Sequence, residues 1–290
     1  MTGDSVMYRL AVHSGRLPSI LGELGRRIGR HRGVRLTCGY RMIIHDPREY
    51  IQRCVLADGA YEPGIAGILA AILRPGDVFF DVGANIGHHS LVAASRGAWV
   101  HAFEPVPRLA ERLRENFRFN GIEERLVLNV AAVGAEPGAA VLYEADRADD
   151  GSHSIIPGVP AASHRAHQVK VVTLDAYAAS NNLRPALIKV DVEGYEARVL
   201  DGATRLLAGD PRPFVVLETA DRLADQIGES ARSVLGRLEA LGYQLLRLNE
   251  ASLRAKRTTA ASAGGELANY LAAHPANDNR SAVLEALGFS

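Results

Sequence analysis

Asp81 and Glu104 stand on either side of a short glycine loop, Gly83-Ala84-Asn85-Ile86-Gly87. Residues 77 to 82 form an apolar run between Pro75-Gly76 and Gly83, the pattern of a buried parallel strand, and a helical pattern begins at His88. Glycine at 83 frees the backbone and lets a ligand lie close against it. A dinucleotide-binding turn would read Gly-x-Gly-x-x-Gly and offer bare amides and a helix start to a pyrophosphate. Here Asn85 interrupts that pattern, and a carboxylate at Asp81 repels phosphate while attracting an ammonium or sulfonium. Trp99 to Glu104 reads as a second strand ending in an acid. An acid about 20 residues past such glycines can accept both hydroxyls of a ribose. A positive amino-acid tail, a ribose and no phosphate describe S-adenosylmethionine. The competing reading, that both acids only cap helices or pair with arginines, is the weaker because the two bracket the glycine loop.

Four segments carry a wider likeness: Gly59-Ala60-Tyr61-Glu62-Pro63, Asp81 to Gly87, Phe103-Glu104-Pro105, and Ile188-Lys189-Val190-Asp191-Val192-Glu193-Gly194-Tyr195-Glu196. In these the sequence resembles the FkbM-type family of S-adenosylmethionine-dependent methyltransferases, from about Gly39 to about Thr219. The glycine loop is common to many methyltransferases; its combination with the Lys-x-Asp-x-Glu-Gly-x-Glu segment is far more specific. The resemblance implies a Rossmann-like class I fold and methylation of a hydroxyl on a small molecule, sugar, glycolipid or polyketide. It implies cofactor contacts from Glu62, Asp81, Gly83, Asn85, Gly87, Glu104, Asn129 and Asp191. Glu62 could equally be a helix N-terminal charge, since Pro63 suits a first helical position. Asn129 falls where the third strand's end holds the adenine. Asp150 to Ser154 resembles the polar segment over the active site, so Ser152 and His153 join Glu193 and Glu218 as acceptor-binding candidates. Two departures stand out. His88-His89 occupy positions where aromatic residues are common, and Thr219-Ala220 follow Glu218 where a histidine is common.

Transfer of a methyl group from a sulfonium is an in-line displacement, so positioning and exclusion of water supply much of the acceleration, worth roughly 7–11 kcal/mol in favourable cases. A base near a hydroxyl acceptor adds roughly 10²–10⁴-fold. Asp191, Glu193 and His88 are the catalytic candidates. Asp191 and Glu193 face opposite sides if both are on a strand, and the same cleft if the chain turns at Val192. Asp191 could instead pair with Lys189 or cap the following helix, and His88 could simply sit at a solvated helix start. Lys189, inside an apolar strand, requires a carboxylate partner. Asp191, Glu193 and Glu218 could together hold Mg²⁺, but the resemblance demands no metal and none is assigned.

Strands must place these acids. Strand and helix patterns alternate, which predicts an α/β fold: a mostly parallel, seven-stranded, doubly wound sheet with an N-terminal helical and strand extension. Ligands bind such sheets outside the carboxyl ends of the strands, where Asp81, Glu104, Asp191, Glu193 and Glu218 all fall. The expected division is a basic arm and lead-in over 1–60, the Rossmann-like methyltransferase domain over 61–250, and a tail over 251–290 that is weakly structured or forms short helices, one over Leu267 to Leu271. The formal net charge is zero, so no global field favours nucleic acid. Two cysteines, no transmembrane run and no secretory leader suggest a cytoplasmic protein. The arginine-rich segment before residue 36 could dock on a membrane surface or an acidic partner, although packing on its own domain is the simpler expectation. The rival functions are a nicotinamide-dependent oxidoreductase, disfavoured by Asn85 and Asp81, and a cofactor-binding scaffold without turnover.

Overall fold

The computed structural model describes residues 33–144, 153, 155, 165–249, 254–263 and 265–277. The basic arm before residue 33 and Ser152 lie outside the described residues. A small antiparallel pair, β1 (Val34–Arg35) and β2 (Arg41–Met42), leads into two helices, α1 (Tyr50–Asp58) and α2 (Pro63–Ile72). Next come β3 (Val78–Val82), α3 (His88–Ser95), β4 (Trp99–Phe103), α4 (Pro107–Phe119) and β5 (Leu126–Asn129). Three strands outside the main sheet follow: β6 (Ala132–Val133), β7 (Gly138–Glu144) and β8 (Arg165–Val172). The second half runs α5 (Leu174–Asn181), β9 (Leu187–Val190), α6 (Glu196–Asp201), α7 (Thr204–Ala208), β10 (Phe214–Thr219), α8 (Asp221–Ala224) and α9 (Ala231–Ala240). The sheet is completed by β11 (Gln244–Asn249), β12 (Arg254–Thr258) and β13 (Ala268–Ala273).

The central sheet has eight strands in the order β12-β11-β13-β10-β9-β3-β4-β5. From β10 to β5 every neighbouring pair is parallel, and β13 runs antiparallel between β10 and β11. The order reverses at β3, because the chain goes outward through β4 and β5 and then returns to place β9 on its other side. That reversal opens the crevice. The strands that form this centre are continuous apolar runs, as burial on both faces demands; Phe79, Phe80, Leu187, Val215 and Val216 are fully buried.

The expected doubly wound α/β sheet is present, with three corrections. Of the short helix expected over Leu267 to Leu271, residues 268–271 instead belong to β13, an interior strand whose Tyr270, Leu271 and Ala272 are buried. The tail thus completes the sheet, and β12 makes an eighth strand. The third strand, which the sequence pattern places over Arg125 to Ala132, is divided, with β5 on the central sheet and β6 paired to β8 in a separate three-stranded sheet. The sequence pattern places one helix from Gly194 to about Leu207; the structure has two, α6 and α7, with Gly202 between them, where a Cβ would lie 2.0 Å from the carbonyl oxygen of Gly134. No single helix among the described residues is long and apolar enough to cross a membrane. The bent pair α1 and α2 comes nearest, but Ile65, Ile68, Leu69 and Ile72 of α2 are buried in the core.

Candidate active site

Above the carboxyl ends of β3, β4, β9 and β10 lies a cavity of about 770 Å³. Its floor is the glycine loop. Gly83 has φ +78°, and a Cβ on it would stand 1.8 Å from the carbonyl oxygen of Asp191. The backbone just past the neighbouring strand therefore requires glycine here, and Gly83 also lines the cavity. Gly87 (φ +86°) packs on Leu113, whose Cγ would be 2.6 Å from an added Cβ.

Glu104 is oriented by the loop. The Asn85 N–H donates to its Oε2 at 2.8 Å, and the Val106 N–H donates to its Oε1 at 2.8 Å. Each oxygen keeps a further lone pair, and the side chain lines the cavity. Burial pushes its carboxyl up to about 6 against the pull of the two amides. Asp81 is placed otherwise than expected. It is 1% exposed and does not line the cavity; its Oδ2 accepts from Ser90 Oγ at 2.6 Å, and Lys189 Nζ lies 3.9 Å from its Oδ1. Burial raises its pKa, with Lys189 and Ser90 opposing. Asp81 thus acts from beneath the floor, through Ser90 and Lys189.

Lys189 joins two of the acids: its ammonium donates to Asp191 Oδ2 at 2.9 Å while facing Asp81. Burial alone would lower its pKa, but Asp191, Asp81 and Glu62 outweigh burial and the net shift is upward. Lys189 is therefore a fixed cation. Beyond Asp191 the chain turns through Glu193 (φ 54°) and Gly194 (φ 96°), so Asp191 and Glu193 both line the cavity. A non-glycine residue in this region costs of order 1–3 kcal/mol. Glu196, buried at the start of α6, reaches back to accept from the Gly194 N–H at 2.9 Å and holds the turn. One carboxylate oxygen from each of Asp191, Glu193 and Glu218 lies within 4.8 Å of the others. Burial first, and then Asp191, Glu62 and Glu193, push the Glu218 carboxyl up to about 9. Its own proton and the nearby Lys189 offset the crowding of negative charge.

The opposite wall comes from the lead-in. Glu62 has φ 45° and ψ 68°, lines the cavity, accepts from Asn269 Nδ2 at 3.2 Å and lies 3.7 Å from His89 Nε2. It is the residue ahead of α2, with Pro63 at the first helical position, and its side chain makes no capping hydrogen bond. The Tyr61 N–H donates to His88 Nε2 at 3.1 Å. That bond uses the ring's acceptor nitrogen and puts the proton on Nδ1. Burial and Lys189 lower His88 to about 3, so the ring is neutral and its basic nitrogen is engaged. His88 lines the cavity as a support for Tyr61.

Asn129 does not line the cavity; its amide donates to the Ala102 carbonyl and to Tyr177 Oη, both at 3.2 Å. Ala131, Ala132, Val133 and Leu142 make an apolar slot at that end, and His153 lines the cavity beside them. Asn269 of β13 and Arg247 of β11 also line it, and neither stands in a motif that marks it in the sequence. Their segments lie beyond the recognised motifs, and 267–271 reads as helix.

Residues 81–245 match the family model described as the methyltransferase FkbM domain. Over 160 residues the chain is 30% identical to the hexuronic acid methyltransferase AglP of Haloferax volcanii, covering 54% of this chain and 62% of the relative. Over 158 residues it is 34% identical to the 31-O-demethyl-FK506 methyltransferase FkbM of Streptomyces tacrolimicus, covering 45% and 60%. The chain therefore spans somewhat under two thirds of these relatives' lengths. Among solved structures, a TehB-like S-adenosylmethionine-dependent methyltransferase from Corynebacterium glutamicum aligns at 16% identity with a TM-score of 0.41, covering 76% of this chain and 92% of that one. Because the family match runs from Asp81 through the signature turn to Leu245, more than half of the chain, the protein belongs to the FkbM methyltransferase domain family.

Proposed function

We propose that the protein is an S-adenosylmethionine-dependent O-methyltransferase acting on a hydroxyl of a sugar or other small molecule. The observation that carries the reading is one acid-rich cavity at the sheet's switch point. Glu104 is fixed by the Asn85 and Val106 amides at one end, and Glu62, Asp191, Glu193 and Glu218 converge at the other. Such a site favours a cationic ligand with ribose hydroxyls and disfavours a pyrophosphate. The family's methyltransferase character and the two named relatives support it further.

The residues present fit S-adenosylmethionine. Glu104 would hold the ribose hydroxyls, the slot of Ala131 to Val133 and Leu142 the adenine, and Glu62 with Asp191 the amino-acid end. Bound there, S-adenosylmethionine supplies an electrophilic methyl group on a positive sulfur. Glu193 and Asp191 would orient the acceptor hydroxyl, and one of them would accept its proton. Glu218, carrying a proton, donates a hydrogen bond to the acceptor without adding charge. Asp81, Lys189 and His88 hold these groups from behind. Under this assignment 61–250 carries donor binding and the tail strands complete its wall. Both cysteines are free, in keeping with a cytoplasmic setting.

Titration calorimetry of the full chain with S-adenosylhomocysteine and, separately, NADH tests the reading. Micromolar uptake of the first and none of the second is expected. Uptake of NADH alone would replace this function with the oxidoreductase.

A further inference from the structure

We propose that Asn269 is a positioning residue for the amino-acid end of the methyl donor, acting by holding Glu62 across the cavity. The inference rests on the methyltransferase reading above and adds a residue from the last strand of the sheet. Asn269 is 6% exposed and stands opposite Glu218 in the β10–β13 register, so the two side chains share a face of the sheet. Its Nδ2 donates to Glu62 Oε1 at 3.2 Å, joining residues 207 positions apart. Glu62 needs such support because its backbone is left-handed, at φ 45° and ψ 68°, a conformation that side chains other than glycine and asparagine rarely hold unaided.

The chemistry of the support matters as much as its position. A lysine or arginine at 269 would neutralise Glu62 and cancel its attraction for an ammonium. An amide fixes the carboxylate and leaves its charge in place. His89, on the other side at 3.7 Å, is held neutral by burial and by the charge on Lys189, so it adds no competing cation. Asn269 also lies outside the family match, which ends at residue 245.

The test separates the two ends of the donor. S-adenosylhomocysteine carries the amino acid; 5′-methylthioadenosine carries the same nucleoside without it. Calorimetry on the full chain should find N269A binding S-adenosylhomocysteine about 10-fold more weakly while 5′-methylthioadenosine changes less than twofold. Glu62→Gln should give the same selective loss, and the double variant little more than either alone. Asn269→Leu, which keeps the volume and lacks the N–H donor, should give the same selective loss, so the test stands even if N269A fails to fold. Unchanged S-adenosylhomocysteine affinity in a folded N269A, or equal losses for both ligands in folded variants, would overturn the inference alone. Wild-type protein that binds neither ligand would overturn the proposed function along with it.

Discussion

Glu218 sits where three other carboxylates converge, and its proton has consequences for the unbound protein. Burial and the charges of Asp191, Glu62 and Glu193 raise its pKa from 4.5 to about 9, while Lys189 opposes them. Between those values the folded chain holds a proton that the unfolded chain has released. The folded state therefore binds more protons, and stability falls as pH rises across that window, with no further loss above about 9. Glu218→Gln removes the titration. Its melting temperature should match wild type near pH 5 and exceed it near pH 9 by several degrees, since about 1 kcal/mol moves a chain of this size by roughly 2–4 °C. Differential scanning fluorimetry of the ligand-free pair across pH 5–9 checks this, and parallel curves would remove the neutral Glu218 from the account. Saturating S-adenosylhomocysteine in a second series shows whether occupancy by the demethylated cofactor alters the same proton.

At the scale of elements, the turn between β9 and α6 presents Asp191 and Glu193, and one bond from Glu196 to the Gly194 amide closes it. Burial raises Glu196 to about 7 against the pull of that amide, so the carboxyl is expensive to bury and is retained for its acceptor. Glu196→Ala leaves a buried N–H without its partner at a residue with φ 96°, beside Glu193 at φ 54°. A loss of about 1–3 kcal/mol in urea unfolding is expected, with kcat and donor affinity both falling, because the turn presents Asp191 to the donor's amino-acid end and Glu193 to the acceptor. Glu196→Gln keeps an acceptor and should recover most of both. The motif around this turn was readable as a motif, and so were β3, the glycine loop and the acid ending β4, since each is local in sequence. What the sequence did not show is how these residues are spent. Asp81 goes to Ser90 and Lys189, and the basic nitrogen of His88 goes to the amide of Tyr61. Gly83 yields to the carbonyl of Asp191. Each of these is a contact between separate segments, which residue type and spacing do not encode.

At the scale of the molecule the same limit appears in β13. Ala-Asn-Tyr-Leu-Ala-Ala is rich in helix formers and reads as a helix, yet it is the strand between β10 and β11. Its state is set by the slot it enters, an instance of tertiary context overriding propensity. The chain consequently depends on a segment beyond the family match. Removing residues after 250 would strip β12 and β13, unpair the inner edge of β10 and separate β11 from the sheet. It would also expose the faces that bury Tyr270, Leu271 and Ala272. Burial of each large side chain is worth roughly 1.5–3 kcal/mol, and the lost ladder bonds add to that, against a total stability of roughly 5–15 kcal/mol for a typical domain. A chain ending at residue 250 should therefore fail to give a cooperative melt and should aggregate through the opened edges of β10 and β11. Circular dichroism and size-exclusion chromatography of that truncation beside the full chain decide the point. A soluble truncation with an intact melt that still binds S-adenosylhomocysteine would show that β10 closes the sheet and the cavity unaided, and would remove Asn269 from donor binding as well.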